Sequence, residues 1–167
     1  ALQPFARHLG INCHGNLKRV PSIYLRGSVA QREALLQGLL DTDGTIGTNG
    51  YISFCSNSQG LCEDVAALVR SLGGLAQVQI KAGHCKVGIK INRPVFRLPR
   101  KLKRQRFDRR TMARIVAIDP IPMEPSQCIA IDNEDRQFLT NDYTRTHNTG
   151  IRGTKLFGKR PVMAILD

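Results

Sequence analysis

Two stretches of this 167-residue chain carry side chains able to make or break covalent bonds. The first is Asp41-Thr42-Asp43-Gly44, two carboxylates closing an apolar run. If that run is a helix, both acids face the negative end of its dipole, at a cost of about 0.3–1 kcal/mol each. A divalent cation would offset this cost, and hard carboxylate oxygens suit Mg²⁺. A solvated acidic turn is the competing reading. The second stretch is Thr146-His147-Asn148-Thr149. An Asn side-chain amide can attack its own main-chain carbonyl and cut the chain as a succinimide. His147 is placed to polarise that carbonyl, and Thr149 offers a hydroxyl nucleophile that needs activation. A polar loop is the alternative. Cys128 is the best single nucleophile here if its surroundings lower its pKa; otherwise it is a small hydrophobe on an alternating strand.

The elements that must position these groups are of two kinds. Ser28 with Gln31 forms a capping box, and a helix follows over roughly 29–40, stopped by Asp-Thr-Asp-Gly. Gly38 leaves one face of that helix bare, where another helix fits closely. Tyr51–Cys55 reads as a strand, with a further strand near Thr45-Ile46. Ser58 caps a second helix, with Leu61, Val65, Leu68 and Leu72 on one face and Gly73-Gly74 as its stop. Val78–Ile80 and Val87–Ile91 alternate as strands about a turn at Gly83. From residue 115 onward only strands are expected: 115–118, 128–132, 137–140 and 143–147, the last two joined at Asn141-Asp142. The fold class is therefore α+β followed by a β-rich segment.

Charge divides the two regions. The chain carries +12 and a pI near 10.1, which favours a polyanionic partner, nucleic acid before a membrane surface. Between Arg97 and Arg114 nine basic residues face Asp108 alone, a net +8. Arg97, Arg100, Lys101, Lys103 and Arg104 are the candidate phosphate contacts, sequence-blind and salt-dependent; a solvated linker is the alternative. Gln59, Gln77, Gln79 and Lys81 are candidates for reading base edges, against an ordinary exposed sheet face. Cys13, Cys55, Cys62, Cys85 and Cys128 form no Cys-x-x-Cys pair. That disfavours a zinc ribbon or a full disulfide framework; Cys13, Cys55, Cys62 and Cys85 are expected to be packing residues. A reducing, cytoplasmic setting is expected. No apolar run approaches the ~20 residues of a membrane span. The chain starts at Ala1 and stops within an apolar run, so both ends read as cuts through a longer polypeptide.

Leu36-Gln-Gly-Leu-Leu-Asp-Thr-Asp-Gly44 resembles the LAGLIDADG homing-endonuclease motif, keeping Leu36, Gly38, Leu39, Asp41, Asp43 and Gly44. Leu17-Lys-Arg-Val-Pro21 looks like the Lys-x-Ile-Pro segment that precedes the second such motif in intein endonucleases. The resemblance implies an α+β half-domain, helices on a curved antiparallel sheet that sits on DNA. Asp43, with Gly44 beside it, falls at the Mg²⁺ position, Asp41 at the structural acid and Lys18 in the auxiliary lysine segment. It also implies a partner: an upstream intein portion carrying the first motif, or a second copy of the chain. Cys128 to Asn148 is similar to the C-terminal splicing blocks of inteins (the Hint-type fold). There His147 assists, Asn148 cyclises and Thr149 begins the host protein; Cys128 and Thr146 match the class 3 type, which uses an internal Cys. Residues 149–167 resemble the large subunit of a phage terminase, which implies a bacterial or phage-infected cell. The expected organisation is 1–100 endonuclease half, 101–114 basic linker, 115–148 splicing segment and 149–167 host stub. A DNA-binding module that reuses the endonuclease fold without cutting is the alternative function.

Overall fold

The computed structural model describes residues 15–81, 83–107, 117–120, 122, 125, 132, 134–135, 137–141 and 143–147. The chain divides into two compact units, residues 1–111 and 112–167. The division falls inside the basic run, and residues 97–107 of that run belong to the first unit.

In the first unit a short 3-10 turn, Gly15–Leu17, leads to α1 (Ser22–Leu25) and α2 (Val29–Asp43). The capping box at the start of α2 is formed: Gln31 N donates to Ser28 Oγ and Ser28 N donates to Gln31 Oε1. β1 (Gly44–Ile46) and β2 (Ile52–Ser56) form a hairpin, followed by α3 (Gln59–Ser71). Ser58 caps α3 by accepting from Leu61 N. β3 (Leu75–Lys81) and β4 (His84–Lys90) form a second hairpin, with Gly83 at φ +80°, a left-handed turn position that suits glycine. α4 (Pro99–Leu102) is a single turn. The four strands make one antiparallel sheet in the order β1-β2-β4-β3.

Alternation within the strands decides which face is covered. Ile46, Ile52, Phe54, Cys85, Val87 and Ile89 are buried under the helices. α3 supplies the expected stripe, Leu61, Val65, Leu68 and Leu72, and widens it with Cys62, Ala66 and Val69. α2 buries only Leu36 and Leu40 fully, one turn apart on one edge of the helix. Its opposite side, with Ala34 and Gly38, is exposed.

Two expectations are corrected here. The first helix does not stop at Leu40 but runs on through Asp41-Thr42-Asp43. Cys62 and Cys85 are not separate packing residues but a disulfide that ties α3 to β4. They are 23 residues apart on different elements, a pairing that spacing cannot reveal. Closing such a loop restricts the unfolded chain by about 3 kcal/mol in the chain-entropy account. Cys55 is a free, exposed cysteine.

In the second unit β5 (Gln137–Leu139) and β6 (Arg145–His147) pair antiparallel, with Phe138 opposite Thr146 and Gln137 opposite His147. This is the hairpin expected around Asn141. Its loop is closed by Tyr143 N donating to Thr140 O and Thr140 N donating to Thr144 O. The expected strands at 115–118 and 128–132 lie largely outside the described residues. Among the described residues no helix is long and apolar enough to cross a membrane.

Candidate nuclease site

The site is built around the C-terminal end of α2. The helix keeps its two acids because a cation sits on its last carbonyls. Lys101 Nζ donates to Leu40 O, Asp41 O and Gly44 O at 2.7–2.8 Å. Lys101 is only 7% exposed, and its ammonium also lies 5.6 Å from the centre of the Phe96 ring. Burial lowers its pKa, with Arg100 pushing the same way, while Asp41 and Asp43 pull it back up. The compensation expected from a metal is thus supplied first by a lysine.

The segment after β4 straps α2 along this end. Asp41 accepts from Arg97 N and Leu98 N. Gln37 Nε2 donates to Pro94 O, and Arg97 Nε donates to Gln37 Oε1. Buried Gln105 secures the strap: Val95 N donates to its Oε1, and its Nε2 donates to Arg93 O. Asp41 is therefore consumed by structure, as the resemblance implied. Asp43 is exposed, and no hydrogen bond or ion pair engages its carboxylate among the described residues.

A divalent cation needs several hard oxygens. No group of three or more His, Cys, Asp or Glu side chains is gathered among the described residues. Asp43 offers such a cation one exposed carboxylate. Gly44 does not fit as a ligand: its carbonyl accepts from the Lys101 ammonium, whose charge opposes a cation on the same oxygen. Its missing side chain has a different reason, since a Cβ there would stand 2.4 Å from Leu40 O.

The candidate phosphate contacts separate into two sets. Lys101 is corrected from a DNA contact to a buried structural cation. Arg100, Lys103 and Arg104 are exposed. Arg100 and Arg104 line a cleft of about 360 Å³ with Thr42 and Thr45, beside Asp43 in the chain. Arg97 is exposed but has one donor committed to Gln37. Lys18 is exposed on the segment preceding α1. On the uncovered face of the sheet, Gln77, Gln79 and Lys81 are exposed on β3, with Lys86 over the Tyr51 ring at 5.4 Å. Gln59 is not on that face; it starts α3 and donates to Glu63.

α2 also presents an unpartnered side. An open hollow of about 870 Å³ is lined by Ile23, Tyr24, Gln31, Ala34 and Leu35, among others. Nothing lies within 4 Å of where a Gly38 Cβ would stand. A helix that ends in an unpaired acid and leaves a small-residue face open is the arrangement that the motif implies. Residues 30–109 match the LAGLIDADG-like domain family. The chain is also similar to the replicative DNA helicase DnaB of Mycobacterium intracellulare, at 34% identity over 166 residues. The match covers 89% of this chain and 28% of that protein, so the chain spans little more than a quarter of the relative's length.

Of the second group, Thr146 and His147 lie on β6, on adjacent and hence opposite-facing positions. Cys128, Asn148 and Thr149 lie outside the described residues.

Lys101→Met should keep the length and apolar contacts of the side chain while leaving Asp41 and Gly44 carbonyls without their donor. We expect a loss of about 2–4 kcal/mol, from unsatisfied buried carbonyls and the lost cation at the helix end. Urea unfolding measures it; an unchanged midpoint would mean that the ammonium contributes nothing to holding the helix end.

Proposed function

We propose that this chain is the C-terminal part of an intein: half of a LAGLIDADG homing endonuclease followed by the C-terminal splicing segment and a host stub from Thr149. The observation that carries the nuclease half is the division of labour between the two acids. Asp41 is tied to the strap, and Asp43 is free and solvent-facing. A purely structural helix end has no use for the second carboxylate so close to the dipole's negative pole.

Double-stranded DNA lies against the exposed face of the sheet, with Gln77, Gln79 and Lys81 at base edges and Arg100, Lys103 and Arg104 at phosphates. Phosphate contacts give affinity and register; base contacts give sequence. Mg²⁺, when bound, supplies charge stabilisation at the phosphate and an activated water. Asp43 holds it together with the matching acid of the first motif, which packs its helix on Ala34, Leu35 and Gly38. At each cut a water oxygen bonds to phosphorus, one P–O bond breaks, and the leaving oxygen takes a proton. The substrate is the host coding sequence without the insertion.

The resemblance of residues 128–149 to splicing blocks and the partial match to a much longer helicase support the intein half, since an inserted segment occupies only part of its host. The β5–β6 hairpin delivers the chain to His147. The Asn148 side-chain nitrogen then bonds to its own main-chain carbon, the bond to Thr149 breaks, and the released amine takes the proton. His147 donates to the carbonyl oxygen. Cys128 acts at the upstream junction. The tail's likeness to a terminase and the match to a replicative helicase each suit a host that works on DNA.

In the full-length protein, Asp43→Asn should abolish Mg²⁺-dependent double-strand cleavage and leave DNA affinity within about threefold, because other residues hold the phosphates. Asp41→Asn should instead lower the melting temperature. Cleavage by the Asp43 variant at the wild-type rate would favour a module that binds without cutting.

Splicing has its own test. Asn148→Ala should block release at Thr149, having no side-chain amide. His147→Ala should slow that step by about 10²–10⁴-fold without abolishing it. Cys128→Ala should stop joining. Mass spectrometry of the precursor separates these outcomes, and normal splicing by the Cys128 variant would move the first nucleophile to the upstream end.

A further inference from the structure

Asp64 lies within α3, 3% exposed, and neither the nuclease nor the splicing chemistry uses it. A buried carboxylate is costly unless it is paired and hydrogen-bonded. Asp64 is both. Arg19 donates to it twice, from Nε at 2.9 Å and Nη2 at 2.7 Å, and Val20 N donates at 2.7 Å. One residue earlier, the Lys18 carbonyl accepts from Ser58 Oγ at 2.6 Å. Gly60 lies between these two grips. A Cβ there would stand 2.3 Å from Arg19 Cδ, so the arginine stem crosses the helix over the bare glycine to reach Asp64. The hydrogen bond to Asp64 in turn raises the Arg19 pKa. Three side-chain choices on one helix thus hold three consecutive residues, 18–20.

The place of this grip follows from the sheet register. β1 and β2 run antiparallel, with Gly44 opposite Phe54. The chain therefore leaves β2 past Ser56 at the end of the sheet where Asp43 enters β1. Ser58 is two residues beyond Ser56. Lys18 is tied to that same end, with its side chain exposed.

We propose that Asp64, assisted by Gly60 and Ser58, is a positioning residue for DNA cleavage, holding Lys18 at the Asp43 end of the sheet so that its ammonium meets the phosphate being cut. This rests on the nuclease reading and adds to it the device that places the lysine. A fixed cation aimed at the phosphoryl oxygens stabilises the charge that develops there. Small displacements of such a group are expensive in rate.

A double-mutant cycle in the full-length protein tests it, using a duplex of the uninterrupted host sequence, Mg²⁺ and single-turnover conditions. Lys18→Met should slow cleavage by about 10²–10³-fold. Gly60→Ala favours the helix but collides with Arg19. It should slow cleavage by about tenfold, with melting temperature and DNA affinity nearly unchanged, as a displaced positioning contact does. The double variant should be no slower than Lys18→Met alone, because both act through one ammonium. Asp64→Asn, if it folds, should follow Gly60→Ala. Multiplicative losses in the double variant, or wild-type rates in either single variant, overturn the proposal. If Asp43→Asn still cuts at the wild-type rate, the nuclease reading falls instead, whatever the cycle gives.

Discussion

An ammonium on the last carbonyls of α2 is the interaction on which the candidate site depends. A helix ending in Asp-Thr-Asp has like signs at its tail, and left alone it should fray before the second acid. Lys101 reverses that by bonding Leu40 O, Asp41 O and Gly44 O from one buried nitrogen. The same contact fixes the direction in which the chain turns from α2 into β1, and so fixes where Asp43 stands. Asp41 completes the lock from the other side by accepting the strap's backbone N–H groups. The two acids are thus separated in role by what remains for each to bind.

The basic segment follows the same logic. Nine cations in eighteen positions read as one electrostatic surface, yet the fold sorts them individually. Lys101 goes inward because a helix end requires it. Arg97 is half committed to Gln37. Arg100, Lys103 and Arg104 remain for an outside anion. Neutralising the whole run would therefore mix two effects, loss of exposed positive charge and a weakened fold.

Local signals carried much of this architecture. The capping box at Ser28, the apolar stripe of α3, the alternation of β4 and the hairpin before His147 all depend on neighbours within a few residues, and all four formed as their patterns indicated. What sequence reasoning missed acts over long separations. Lys101 meets the end of α2 about 60 positions away, Asp64 meets Arg19 at 45, and Cys62 meets Cys85 at 23. None of these leaves a period in the sequence. Some trace was present: a lone acid within the apolar face of α3, four residues after a glycine, is a pattern that asks for a buried partner. The extension of α2 to Asp43 had no such trace, because its cause lies on another segment.

On the proposed function Asp43, and not Asp41, is the metal-facing acid of this half. The most direct measurement is an anomalous difference map from crystals of the full-length protein on its target duplex, soaked with Mn²⁺ in place of Mg²⁺. A peak is expected at about 2.1 Å from an Asp43 carboxylate oxygen, the distance that suits an octahedral divalent ion. None is expected on Asp41, whose carboxylate still accepts from the Arg97 and Leu98 amides. A peak on Asp41, or an empty Asp43 in a complex competent to cut, would contradict it.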